Sequence, residues 1–232
     1  MAPPADSWYA PNDPVRKDVE AYIPAFSYDP SRAQRLLEEA GWTRPDSSGR
    51  PDSSGRGADG ILVHQPSSER FHTVLQVRPG SVPTKAGQII GDQWKAIGVQ
   101  VELDVLTGPR LTDNQYLATR PGPAMISPSG YNFYDRRLHT SRIPRPENRW
   151  TGNNRGSYIN PRVDALLDRL SSTIDPVERV ALHRELLSEQ MGNVALMPLY
   201  WQVVPLLIRE GFTGPKMATN EATHNIWEWR RV

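Results

Sequence analysis

Residues 71–106 read FHTVLQVRPGSVPTKAGQIIGDQWKAIGVQVELDVL, and three periods follow one another within them. FHTVLQV (71–77) alternates and carries β-branched residues, which predicts a strand. PTKAGQIIGDQWKAI (83–97) places Ala86, Ile89, Ile90, Gln93, Trp94 and Ile97 on one helical face, and Gly98 stops the helix. In VQVELDVL (99–106), Val99, Val101, Leu103 and Val105 alternate with Gln100, Glu102 and Asp104, which predicts a second strand. Strand, helix and strand at this spacing form a βαβ unit, with two parallel strands joined by a right-handed crossover.

On the N-terminal side, YDPSRAQRLLEEAGW (28–42) spells out a short helix. Asp29 caps it, Pro30 takes the first position, and Ala33, Leu36, Leu37 and Ala40 share a face. Gly41 closes it in the left-handed conformation. Residues 1–27, rich in Pro and aromatics, read as extended. PDSSGR, repeated at 45–50 and 51–56, is too polar to bury a core and reads as solvated loop. On the C-terminal side, 111–120 is a weak helix candidate and AMISP (124–128) a third strand. Residues 129–160 are irregular, polar and aromatic, a length of loop usually tied to function or to disorder. Two helices follow. The first is capped by Asn160 and buries Val163, Leu166, Leu167 and Leu170. The second opens on Asp175, Pro176 and Glu178 and presents Val180, Leu187 and Met191. VALMPLYWQVVPLLI (194–208), broken by Pro198 and Pro205, reads as a buried extended segment or two short strands. In NIWEW (225–229), Trp227 and Trp229 fall on one side of a strand.

The totals exclude several classes of function. The chain has 232 residues, a net charge of +1 and no dense basic block, so nothing draws it to nucleic acid or an anionic membrane. It has no cysteine, hence no disulfide, thiolate metal site or cysteine nucleophile. No apolar run is long enough for a membrane span, and the N-terminus lacks the pattern of a signal peptide. With 17 Gly and 22 Pro, a folded, loop-rich protein is expected.

Catalytic signals are thin. No two of His64, His72, His139, His183 and His224 have metal-ligand spacing on a helix face, so each reads as a surface or structural histidine. Nucleophile-elbow, dinucleotide and phosphate-loop motifs are missing. Asp164 and Asp168, one turn apart, read as a solvated face beside Arg162 and Arg169. The loop is more suggestive. Tyr131, Phe133, Tyr134 and Trp150 can stack on a ligand, Asn132, Asn153 and Asn154 offer donors and acceptors, and Asp135 can meet a cation. The same residues also suit a polar loop held by its own Asn turns, with Asp135 neutralised by Arg136 or Arg137.

The order of these pieces resembles the C-terminal part of the family 5 extracellular solute-binding proteins, the dipeptide- and oligopeptide-binding receptors of ABC importers. The resemblance rests on YDPSRAQRLLEEAGW, GQIIGDQWKAIGVQVEL, the stretch from YINPRVDALL through NVALMPLYW (158–201) and the closing NIWEW, in the family's order. It implies an α/β fold: the C-terminal lobe of a two-lobed, periplasmic-binding-protein-like structure, with a mixed sheet and flanking helices. Residues 1–27 would run near the hinge, 28–205 would form the solute-binding lobe, and 206–232 would return to a first lobe absent from this sequence, so the chain reads as a truncated fragment. It implies a periplasmic or extracellular, membrane-associated receptor for a peptide or other small solute, partnered by permease subunits, with no cofactor, metal or catalytic residue. Tyr131, Asn132, Tyr134, Asp135, Trp150, Asn153 and Asn154 would line the solute site. Peptide-binding members hold the ligand's α-amino group with an aspartate shortly after a Gly–Trp pair. Here GYNFYDRR puts Tyr131 in place of that tryptophan and Asp135 about one position later, which leaves the solute class open. An unpaired apolar tail implies self-association or disorder of 206–232. The alternatives are a small α/β hydrolase using Asp135, His139 and a serine such as Ser141, and an interaction scaffold.

Overall fold

The computed structural model describes residues 3–44, 60–126, 137–203, 205–216 and 225–232. In chain order the elements are α1 (Arg16–Val19), α2 (Pro30–Glu39), β1 (Trp42–Thr43), β2 (Val63–His64), β3 (His72–Val77), α3 (Ser81–Ala96), β4 (Gln100–Val105), α4 (Asn114–Ala118), α5 (Pro161–Ser172), α6 (Pro176–Gly192), β5 (Phe212–Thr213) and β6 (Arg230–Arg231), with short 3-10 turns between. None of the described helices is long and apolar enough to cross a membrane. The chain folds as two compact units, residues 26–127 and residues 1–25 with 128–232.

In the 26–127 unit, β3 and β4 run parallel in the register His72↔Gln100 through Val77↔Val105, with α3 as the crossover, as the sequence implied. Gln76 also bridges Ala124 in parallel, its N–H donating to the Pro123 carbonyl (2.9 Å) and its carbonyl accepting from Met125 (2.8 Å). The expected third strand is thus a single bridge within the described residues. β1 and β2 pair antiparallel, and Trp42 stacks on Phe71 at 4.4 Å.

The face α3 turns to the sheet is rotated from the expected one: Ala86, Ile90, Trp94 and Ile97 are half-buried as read, but they flank the contact and do not centre it. Gly87 and Gly91 are its buried residues, whereas Ile89 and Gln93 are exposed. A Cβ on Gly87 would lie 2.8 Å from Val77 Cγ1 and 2.9 Å from Leu103 Cδ1, so the helix approaches closely where it has no side chain. Periodicity weighted by large apolar residues overlooks such a stripe. α2 forms as read: Asp29 Oδ1 accepts from Arg32 N at 2.8 Å, Pro30 opens the helix, and Gly41 follows it at φ +87°. No residue of α2 is fully buried, and Leu36 is 53% exposed. Its apolar face instead lines a cavity of about 460 Å³ with Phe71, Trp94, Ile97 and Val99.

In the other unit, α5 and α6 pack together. Leu138, Val163, Leu166, Leu167, Leu170, Leu182 and Leu186 make one core. Trp8, Tyr9, Val19, Leu187 and Met191 make a second. α6 is therefore buried on two sides, and its pattern is wider than the three residues read from its sequence. Residues 16–22 are wound into α1 and a 3-10 turn rather than extended, because Val19 and Tyr9 fold onto α6. Asp6 and Arg16 pair bidentately (2.8 and 2.9 Å) and tie down this segment. The Arg16 guanidinium holds the Asp6 carboxyl below the usual carboxylate range.

The stretch 194–208 departs from its reading. It is extended, but it pairs through a single antiparallel bridge, Pro4↔Tyr200; Ala195 and Leu196 pack against the first core, while Met197, Val203 and Leu207 are mostly exposed. No described strand lies beside it to bury them. Trp227 and Trp229 do not share a strand either: Ile226–Glu228 is a 3-10 turn, and only Arg230–Arg231 pairs, with Phe212–Thr213. Asn225 holds this hairpin, donating to the Gly214 carbonyl (2.7 Å) and accepting from Trp229 Nε1 (3.2 Å).

Candidate functional site

In an open parallel sheet the carboxyl ends of the strands are where ligands bind. In the 26–127 unit those ends carry a polar cluster. Gln76 and Asp104 are register partners, so their side chains leave the sheet on the same face, the one opposite Val77 and Leu103. Gln76 Nε2 donates to Asp104 Oδ2 at 3.1 Å, and the Tyr116 hydroxyl donates to the same oxygen at 2.8 Å. α4 delivers Tyr116 because Asp113 caps that helix, accepting from Tyr116 N at 3.0 Å. The Arg110 guanidinium lies over the Tyr116 ring at 5.0 Å from its centroid, and its Nη1 is 3.7 Å from Asp104 Oδ1. The bond to Asp104 raises the Tyr116 hydroxyl above the ordinary tyrosine range, which keeps it a neutral donor. None of these four residues was singled out from sequence, because 28 residues separate Gln76 from Asp104 and only the register unites them.

The loop leading to α5 belongs to the other unit. Tyr131, Asn132, Tyr134 and Asp135, four of the residues expected to line a solute site, lie outside the described residues. Trp150 is half-buried with φ +60°, and Asn153 is exposed. Asn154 is 1% exposed and serves the loop itself. Its Nδ2 donates to the carbonyls of Leu138 (3.1 Å), His139 (3.3 Å) and Tyr158 (2.8 Å), and its Oδ1 accepts from Tyr158 N at 3.0 Å. Such an amide has its capacity filled by backbone. The structure brings Trp150, Asn153 and Asn154 into one loop but gives them different surroundings.

His139 is the residue here that the sequence undervalued. Its Nδ1 accepts from the Ser141 backbone N–H at 3.0 Å and lies 2.8 Å from Ser141 Oγ, at the head of a 3-10 turn. Asp164 Oδ1 accepts from Thr140 N at 2.8 Å and is 3.9 Å from His139 Nδ1, while Asp168 Oδ1 is 3.6 Å from Nε2. Asp164 and Asp168 are thus not simply a solvated pair, since both face a histidine from the preceding loop. The arrangement caps a turn and docks it on α5. His183 is a satisfied core histidine, its Nδ1 3.0 Å from the Tyr9 hydroxyl. No group of metal-ligating residues gathers among the described ones.

The chain as a whole is similar to known proteins. The model of the bacterial extracellular solute-binding proteins, family 5 (middle region), matches residues 1–144. A curated relative, the oligopeptide-binding protein AppA of Bacillus subtilis, is 23% identical over 233 residues, covering 95% of this chain and 38% of the relative. Among solved structures, AppA in complex with a nonapeptide superposes with a TM-score of 0.68 at 20% identity, covering 100% of this chain and 43% of that one. The oligopeptide-binding protein of Thermus thermophilus with a pentapeptide gives 0.75 at 21%, covering 99% and 39%. NikZ of Campylobacter jejuni with Ni(L-His) gives 0.65 at 17%, covering 90% and 40%. The chain therefore spans about two fifths of the length of the relatives it matches.

Proposed function

The chain belongs to the bacterial extracellular solute-binding proteins of family 5, and from that premise we propose that it is the C-terminal solute-binding lobe of an ABC-importer receptor. In this reading a peptide or another small solute is captured by closure against a second lobe, without bond chemistry. Permease subunits are its transport partners, and its place is outside the cytoplasmic membrane. The observation that carries the reading is the parallel β3–α3–β4 crossover, lying within the stretch that matches the family model. Support also comes from structural neighbours whose names describe complexes with a nonapeptide, a pentapeptide and Ni(L-His). Those ligands differ widely, so the solute class is read from this chain's own site.

The residues proposed to meet the solute are Tyr131, Asn132, Tyr134, Asp135, Trp150 and Asn153, while Asn154 holds the backbone of the loop that carries the last two. A solute enclosed between two lobes loses most of its surface to protein, so one lobe alone holds it poorly. Isothermal calorimetry of this chain with peptide and oligosaccharide libraries is expected to give no complex tighter than about 1 mM. A micromolar complex with the isolated chain overturns capture by closure.

A further inference from the structure

We infer that Arg110 is an oxyanion anchor at the carboxyl edge of the parallel pair, held ready by Tyr116 and Asp104, and that it takes a carboxylate of the solute. The inference rests on the solute-binding reading and names the chemistry of one subsite. Arg110 sits in the 3-10 turn Gly108–Leu111 that comes shortly after β4, at the edge where an open parallel sheet receives its ligands. Its side chain is 58% exposed, and no described acceptor lies within hydrogen-bond distance of its N–H groups. The group is nevertheless oriented: the Tyr116 ring lies under the guanidinium, and Asp104 Oδ1 stands 3.7 Å from Nη1, beyond a hydrogen bond but close enough to fix direction. A guanidinium held by its face and one edge keeps its remaining donors in a fork that matches a planar carboxylate.

Asp104 does not cancel that preference. Its Oδ2 already accepts from Gln76 and Tyr116, so part of its charge is absorbed inside the cluster. The support is also braced. Tyr116 is fixed by the Asp113 cap of α4, and Gln76 by backbone bonds to Pro123 and Met125. Small shifts in the solute therefore meet a rigid donor set.

The test uses the full chain, labelled with ¹⁵N and titrated by NMR with N-acetylglycine and, separately, with its neutral analogue N-acetylglycinamide. The acid is expected to saturate shifts within residues 104–118 at millimolar concentration, and the amide to give none there. Arg110→Gln should weaken the acid by about tenfold or more. Tyr116→Phe, which keeps the ring but removes the bond to Asp104, should weaken it less. Equal responses to acid and amide, no saturation by either, or an Arg110→Gln chain that binds the acid unchanged would each overturn the anchor. None of these outcomes touches capture by closure, which the calorimetry of the isolated chain decides separately.

Discussion

Lowering the pH from 7 to 4.5 should destabilise this protein through one residue, His183. Its side chain is 1% exposed, bonded to the Tyr9 hydroxyl at 3.0 Å, and surrounded by the Trp8–Tyr9–Leu187 core. Burial, and then the nearby Arg179 charge, push its pKa from 6.5 down to about 4. The folded state therefore resists a proton that the unfolded chain accepts freely. Stability from this group is complete above pH 6.5 and is lost as pH falls toward 4. With those two values the loss between pH 7 and 4.5 is about 2.5 kcal/mol. Urea unfolding followed by tryptophan fluorescence at both pH values measures it, because the chain carries seven tryptophans. His183→Gln keeps a side-chain amide near Tyr9 but does not titrate. The wild type should lose about 2.5 kcal/mol more than this variant over the same interval, while carboxylate contributions cancel in the difference. Parallel pH profiles for the two proteins would refute the reasoning.

Gly87→Val should cost about 2 kcal/mol, because even its Cβ meets Val77 and Leu103, whereas Ile89→Ala on the exposed face should stay within about 0.5 kcal/mol. Denaturant midpoints check both, and equal effects would mean that α3 turns another face to the sheet. Ala33→Leu extends into the apolar cavity beneath α2 and should stabilise by about 1–2 kcal/mol, read as a rise in melting temperature. The exposed apolar stretch from Met197 to Ile208 should drive concentration-dependent self-association in sedimentation velocity, reduced by Leu207→Asp. A single monomeric species at all concentrations would contradict that. Ser141→Ala should leave hydrolysis of 4-nitrophenyl acetate at background, whereas a Ser141-dependent burst of nitrophenol would restore the hydrolase alternative that the 2.8 Å approach to His139 keeps in view.

The parts legible in sequence are those whose causes are local. Strict alternation in 99–106, the Asp29–Pro30 start of α2 and the Asn160 and Asp175 caps act within a few residues, and each appears in the structure at its expected place. What was missed depends on contacts between distant segments. Gly87 and Gly91 form a buried stripe only because a sheet lies beneath them. α6 carries two buried faces only because residues 8–19 fold back on it. The 194–208 stretch has the composition of a core strand, yet burial needs a neighbour, and beyond Ala195 its backbone pairs with the short segment at Pro3 and Ala5 rather than with a strand of a sheet. The candidate site divides in the same way. The aromatic loop stood out by composition, whereas Asp104 looked like one more polar position on an alternating strand until the register set it beside Gln76.

The carboxyl-edge cluster also bears on why binding is the better reading than catalysis. A general base needs a lone pair open to substrate and a proton affinity near the working pH. Asp104 Oδ2 already accepts two hydrogen bonds, and Tyr116 is held above the ordinary tyrosine range, so it is a poor source of protons. His139 Nδ1 receives a backbone N–H, which ties the ring to its turn. His183, whose pKa burial lowers, is sealed in the core at 1% exposure. Asp104, Tyr116 and His183 are committed to holding geometry. Groups so committed give up reactivity and gain position, and a fixed set of donors at a sheet edge is what discriminating one solute from another demands.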